Sequence, residues 1–161
     1  MPRRSTRENK NIYQISRERA GLTRETAAER MTFLSPARIE KIENERSEAH
    51  PEEVLAMAEA YQDPLLRNQY CTLECPIGRK YVPRVEEKSL SQITLEMVVT
   101  LNELMRDRDR LMEITVDGTI SEEEEGDFRS IRENLDKMGS AIESLKLWVD
   151  GQVGPEETGG R

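Results

Sequence analysis

The stretch Gly21–Arg46, "GLTRETAAERMTFLSPARIEKIENER", decides the fold. Start and stop signals divide it. Gly21 is a natural helix stop, because a residue without Cβ enters the left-handed turn freely. Thr23 follows as an N-cap for a helix over Arg24–Met31, whose Ala27, Ala28 and Met31 face inward. "TFL" turns the chain. Ser35 then caps a further helix with Pro36 at its first position, where the missing N–H costs nothing. Ile39 and Ile42 give that helix an inner face, and it ends near Asn44 to Arg46.

The pattern extends in both directions. Upstream, Ile12 and Ile15 mark a helix that ends at Gly21, and residues 1–10 read as a flexible basic arm. Downstream, His50-Pro51-Glu52-Glu53 opens a fourth helix, with acids in the first turn to complement its dipole. Val54, Leu55, Ala58 and Tyr61 supply its core face, and Asp63-Pro64 ends it. Leu65–Glu74 reads as a short fifth helix. "CPIGRKYVPRVEEK" carries Pro76, Gly78 and Pro83, so residues 76–89 read as a linker.

Two long amphipathic helices follow. Leu90, Met97, Leu104 and Leu111 recur at heptad spacing, with Ile93 and Leu101 between them. Phe128, Ile131, Leu135, Met138, Ile142, Leu145 and Val149 follow alternating three-four spacing. "TVDGTISEEEE" is short enough to fold the pair antiparallel. Residues 90–150 therefore read as a helical hairpin, and the Gly-rich residues 151–161 as a disordered tail. The expected fold is all-α: an N-terminal five-helix domain over residues 11–75, then the hairpin.

Charge divides along the same line. Of 161 residues, the first 50 hold 11 Lys/Arg against 8 Asp/Glu, and residues 86–161 hold 9 against 19. The net charge of −8 thus belongs to the C-terminal half and does not bar the basic N-terminal third from a polyanion. No stretch approaches the ~18–20 apolar residues of a membrane span. The basic start has no apolar run after it, as a secretory signal requires, so a cytoplasmic protein is expected.

Short helices with a tight turn between the second and third fit a helix-turn-helix DNA-binding domain. "GLTRETAAERM…SPARIEKIEN…HPEEVLAMAEAY" resembles the XRE, or lambda-repressor/Cro, class of bacterial and phage regulators over roughly residues 11–70. The segment into "YCTLECPIG" and the hairpin beyond it resemble uncharacterised regulator-like proteins of Gram-positive anaerobes. The class resemblance implies that double-stranded DNA is the partner and that the third helix enters the major groove. Arg24 would then lie beside the DNA backbone. Ser35, Pro36, Ala37 and Arg38 would face base edges or flanking phosphates, with Lys41 one turn on. Asn44 and Arg46 would meet the backbone past the helix end. Arg38 could read a guanine through its fork geometry, and Ala37 could meet a thymine methyl. Glu43 usually supports the structure in this class. Two departures stand out. Glu40 and Glu45 add repulsion near phosphates, and Glu45 occupies a position where the class usually has Gly.

Other signals are weaker. Cys71 and Cys75, with His50 as the single histidine, cannot complete a four-ligand zinc site of Cys and His within one chain, so they read as small structural thiols. "EITVDGTISEEE" places Asp117, Gly118, Ile120 and Glu124 at EF-hand spacing. The first and third ligand positions hold Glu113 and Thr115, which favours a plain turn with Ser121 and Glu124 as a capping box. No nucleophile is set beside His50, and no phosphate loop or carboxylate pair rises above background. Neither an enzyme nor a bound cofactor is expected. Two helices alone bury little, so the hairpin is expected to form a homodimer. Two functions stay open: a dimeric sequence-specific DNA-binding regulator, or an antitoxin- or anti-repressor-like interaction module whose helix-turn-helix no longer reads DNA.

Overall fold

The computed structural model describes residues 9–116, 118 and 121–153. Most of the basic arm and the tail beyond Val153 lie outside the described residues, as do Asp117 and Ile120 of the calcium-like stretch. Among the described residues the chain forms eight helices and no strand. It divides into two compact units. The first comprises the helices up to Arg84 together with residues from Val149 on; the second is Val85–Trp148.

The first unit is built from α1 (Ile12–Arg19), α2 (Arg24–Arg30), α3 (Pro36–Glu43), α4 (Pro51–Tyr61), α5 (Leu65–Leu73) and α6 (Pro76–Tyr81). Its core collects Tyr13, Leu22, Ala27, Met31, Leu34, Ile39, Ile42, Val54, Met57, Tyr61 and Leu66, all buried. At ~1.5–3 kcal/mol for each large apolar side chain, these residues supply the main force holding the short helices together. None of those helices reaches the ~12–15 residues at which a helix becomes even marginally stable alone.

Two expected inward positions shift, and one expected linker folds. Ile15 is 44% exposed, because Tyr13, Ser16 and Arg17 form the inward stripe of α1. Leu55 is 52% exposed, lying one position off the stripe Val54–Met57–Ala58–Tyr61, with Met57 fully buried in its place. Where the sequence reads as a linker, Pro76–Tyr81 forms α6, capped by the Cys75 sulfur, which accepts from the Gly78 N–H at 3.5 Å. Gly78 is what lets α6 press against α5, since a Cβ there would collide with the Cys71 carbonyl.

The second unit holds α7 (Leu90–Thr115) and the greater part of α8 (Glu125–Val153). Ser89 caps α7 in a reciprocal box with Gln92. The two helices run antiparallel, as their cross-links show: Arg110 to Asp127 at 2.6 Å, Asn134 to Asp107 at 2.9 Å and Lys137 to Glu103 at 3.6 Å. Between them, Ser121 donates its N–H and hydroxyl to the Glu124 carboxylate, and Gly118 holds a φ of 73°.

The heptad reading of this unit needs correction at half of its positions. The buried positions are Ile93, Thr100 and Ile114 on α7, and Ile131, Asn134, Ala141 and Ser144 on α8. Leu90, Leu101, Phe128, Leu135, Ile142 and Val149 are exposed instead. Met97, Leu104, Leu111, Met138 and Leu145 are half-buried beside the buried positions, so the seam keeps that half of the heptad track and steps back by one residue at Leu101, Leu135 and Ile142. Its polar members are satisfied locally: Thr100 donates to the Glu96 carbonyl at 2.8 Å and Ser144 to the Ser140 carbonyl at 2.9 Å.

Candidate nucleic-acid interface

Three helices of the first unit end in the same way. The chain enters the left-handed region at Gly21 (φ 71°), Glu45 (φ 56°) and Gln62 (φ 54°). At the end of α3 the Glu45 N–H donates to the Ile42 carbonyl at 3.0 Å and the Arg46 N–H to the Lys41 carbonyl at 2.8 Å. That is the paired Schellman stop, made here without glycine. Glu45 therefore does occupy the glycine position, and the exposed Glu45 and Arg46 side chains both project beside the end of α3.

The start of α3 is set by Ser35, whose hydroxyl accepts from the Arg38 N–H at 3.2 Å. Met31 and Leu34 are buried on either side of the turn and pin it to the core, while Thr32 and Phe33 stay out. Phe33 is 60% exposed two residues before the cap, a position sequence reasoning treated only as part of a turn. Ile39, Ile42 and Glu43 face inward, so α3 turns Ala37, Glu40 and Lys41 to solvent, with Ser35 and Pro36 exposed at its entry. Lys41 and Arg46 form no ion pair among the described residues. Asn44 is half-buried at the C-cap, its N–H bonded to the Glu40 carbonyl at 3.0 Å.

Two of the expected contact residues make ion pairs within the domain. Arg38 turns toward α4. Its guanidinium grips both oxygens of Glu53 at 2.7 Å, reaches the Glu48 carbonyl at 2.9 Å and also bonds the Ser47 hydroxyl. Glu53 also accepts the His50 N–H at 2.8 Å. The Arg38 hydrogen bond holds the Glu53 carboxyl below the usual carboxylate range, against burial, with the His50 N–H adding to it. The fork that was expected to read a guanine thus ties α3 to the start of α4. Arg24 donates to Glu43 at 2.8 Å and lies 3.7 Å from Glu40, leaving 30% of its side chain exposed.

Glu43 is the anchor beneath this surface. Its side chain has no exposed area, and both oxygens are held by Arg17, one of them also by Arg24. Arg17 further donates to the Leu22 carbonyl at 2.7 Å. A buried carboxylate between two guanidiniums thus joins α1, α2 and α3 and fixes the angle at which α3 presents its outer face. A family model described as a helix-turn-helix domain matches residues 14–64.

Residues 14–64 form a helix-turn-helix domain. Neither the curated proteins nor the solved structures contain a match to the chain. Within the domain, α2 is the supporting helix and α3 the outward one, in the arrangement that admits a helix N-terminal half to a DNA groove. Cys71 and Cys75 are free, partly buried thiols. Burial, then the neighbouring Cys75, push the Cys71 thiol up and disfavour the thiolate that metal or redox chemistry needs. No helix among the described residues is long and apolar enough to cross a membrane.

Proposed function

We propose that the protein is a sequence-specific, DNA-binding transcriptional regulator of the XRE type. It acts in the cytoplasm, without catalysis, as a homodimer that inserts α3 into the major groove. The observation that carries this reading is the outer face of α3. Ala37 and Lys41 are exposed on the helix itself, the Ser35 hydroxyl, Pro36 and Phe33 sit at its entry, and Arg46, with no ion pair among the described residues, stands at its exit. Lys41 reads a base edge or phosphate, Ala37 contributes apolar shape, and Arg24 and Arg46 meet the backbone on either side. Asn44 lies close enough to the exit to share that contact. Arg38 keeps its place in the interface by holding the helix.

The second reading, an interaction module that recruits a protein partner, draws on one observation. Glu40 and Glu45 are exposed beside Lys41 and Arg46, so the face carries as many acids as free cations. Phosphate neutralisation by this face is correspondingly small. A pull of random duplexes through the purified protein separates the readings: a regulator enriches one sequence, a recruiter enriches none.

A further inference from the structure

The hairpin buries a mixed seam, Ile93, Ile114, Ile131 and Ala141 beside Thr100, Asn134 and Ser144, and leaves other apolar side chains exposed. On α7, Val98, Leu101 and Met105 are 48–67% exposed, and Met112 is 63% exposed. On α8, Phe128, Leu135 and Ile142 are 36–52% exposed. Leu101, Leu135 and Ile142 each follow a buried seam residue by one position, Val98, Met105 and Met112 each follow a half-buried one (Met97, Leu104 and Leu111), and Phe128 stands one heptad before Leu135. In an antiparallel pair the same rotational step from the seam falls on the same side, so the two stripes share one face. The cross-links fix the register, and the face reads as matched rows: Met112 with Phe128, Met105 with Leu135, Val98 with Ile142. At ~150–250 Å² for a large side chain, the exposed fractions amount to roughly 600 Å² of apolar surface. That is the top of the ~300–600 Å² range for the largest patch of a monomer and most of the ~800 Å² each partner gives a stable interface.

We propose that this face receives a second copy of the same hairpin, closing a four-helix bundle whose two-fold axis runs along the hairpins. The row Leu101–Gly139 argues for a copy of itself as the occupant. A large side chain and a gap stand at one level, and a Cβ at Gly139 would meet nothing within 4 Å. A two-fold along the bundle sets each Leu101 over the partner's gap and stacks every other row on its own kind. The Arg108–Arg132 row is the one charged layer. Arg108 already holds Asp109 at 2.9 Å, and a polar layer of this kind fixes register at some cost in stability. The same axis makes both chains enter the bundle from one end, which a protein reading adjacent half-sites requires. The inference rests on the homodimeric reading above and adds the face and the symmetry.

Sedimentation velocity of the full chain without DNA tests it. Wild type runs as a dimer. Leu101→Glu with Met105→Glu halves the mass while keeping helical circular dichroism, and Ile142→Glu, on the other helix in the row beyond Leu101, does the same. Val99→Glu, which precedes a seam residue and so lies on the opposite side, leaves the dimer intact. A monomeric wild type overturns the dimer together with the face. A wild-type dimer that survives Leu101→Glu/Met105→Glu and Ile142→Glu, or that Val99→Glu dissociates, overturns the face alone.

Discussion

Glu43 shows what a single residue decides in this protein. A carboxylate with no exposed surface is normally a liability, yet two guanidiniums neutralise it. Removing it strands Arg17 in the core. Glu43→Ala is therefore expected to destabilise the first unit by about 3–5 kcal/mol, the usual cost of orphaning a buried charge, read as a fall in the denaturant midpoint. Glu45 works in the opposite direction. Its φ of 56° places an L side chain where glycine sits freely, so Glu45→Gly should raise stability by about 1 kcal/mol. The same change removes an acid beside the phosphate path and should tighten DNA binding. Both residues were visible in the sequence, Glu43 as a scaffold residue and Glu45 as a misplaced one. The Arg38–Glu53 pair was not legible, because the partners lie 15 positions apart and nothing local marks them. Truncating Arg38 should cost about 2 kcal/mol, the scale of a charged hydrogen-bonded contact, before any effect on base preference.

At the scale of elements, the caps were the most readable feature. Thr23 and Ser35 both accept the expected N-terminal N–H, because a cap is a contact between neighbours in sequence. The α3–α4 junction depends instead on a long-range ion pair and so on pH. The Glu53 carboxyl is held low, so its stabilisation is complete above its unfolded value of about 4.3 and is lost as pH falls through the folded one. Glu53→Gln should flatten the loss of stability below about pH 4, measured by urea unfolding across an acid series. The hairpin misled for a different reason. Periodicity identified two heptad helices, but two adjacent tracks share that period on each of them. Met97, Leu104, Leu111, Ile131, Met138 and Leu145 stay in or beside the seam, while Thr100, Asn134 and Ala141, with cross-links such as Asp107–Asn134, displace Leu101, Leu135 and Ile142, which hydrophobicity alone favours.

At the scale of the whole molecule, the division of labour follows the division of charge. The basic N-terminal third carries the helix-turn-helix domain, and the acidic half carries the hairpin. With few free cations on the α3 face, affinity should depend on salt less steeply than in regulators that make many phosphate contacts. Arg46→Ala should lower affinity evenly across sequences and reduce the log–log salt slope by about 1, as titrations at several salt concentrations would show. Lys41→Ala should do something else: relax preference at one base position. The most direct test of the central claim is selection of bound duplexes from a random pool by wild type and by Lys41→Ala in parallel. The account predicts that wild type enriches an inverted repeat, with half-site centres about one helical turn apart, and that the variant loses discrimination at one position in each half. A wild-type pool with no enriched sequence would contradict it.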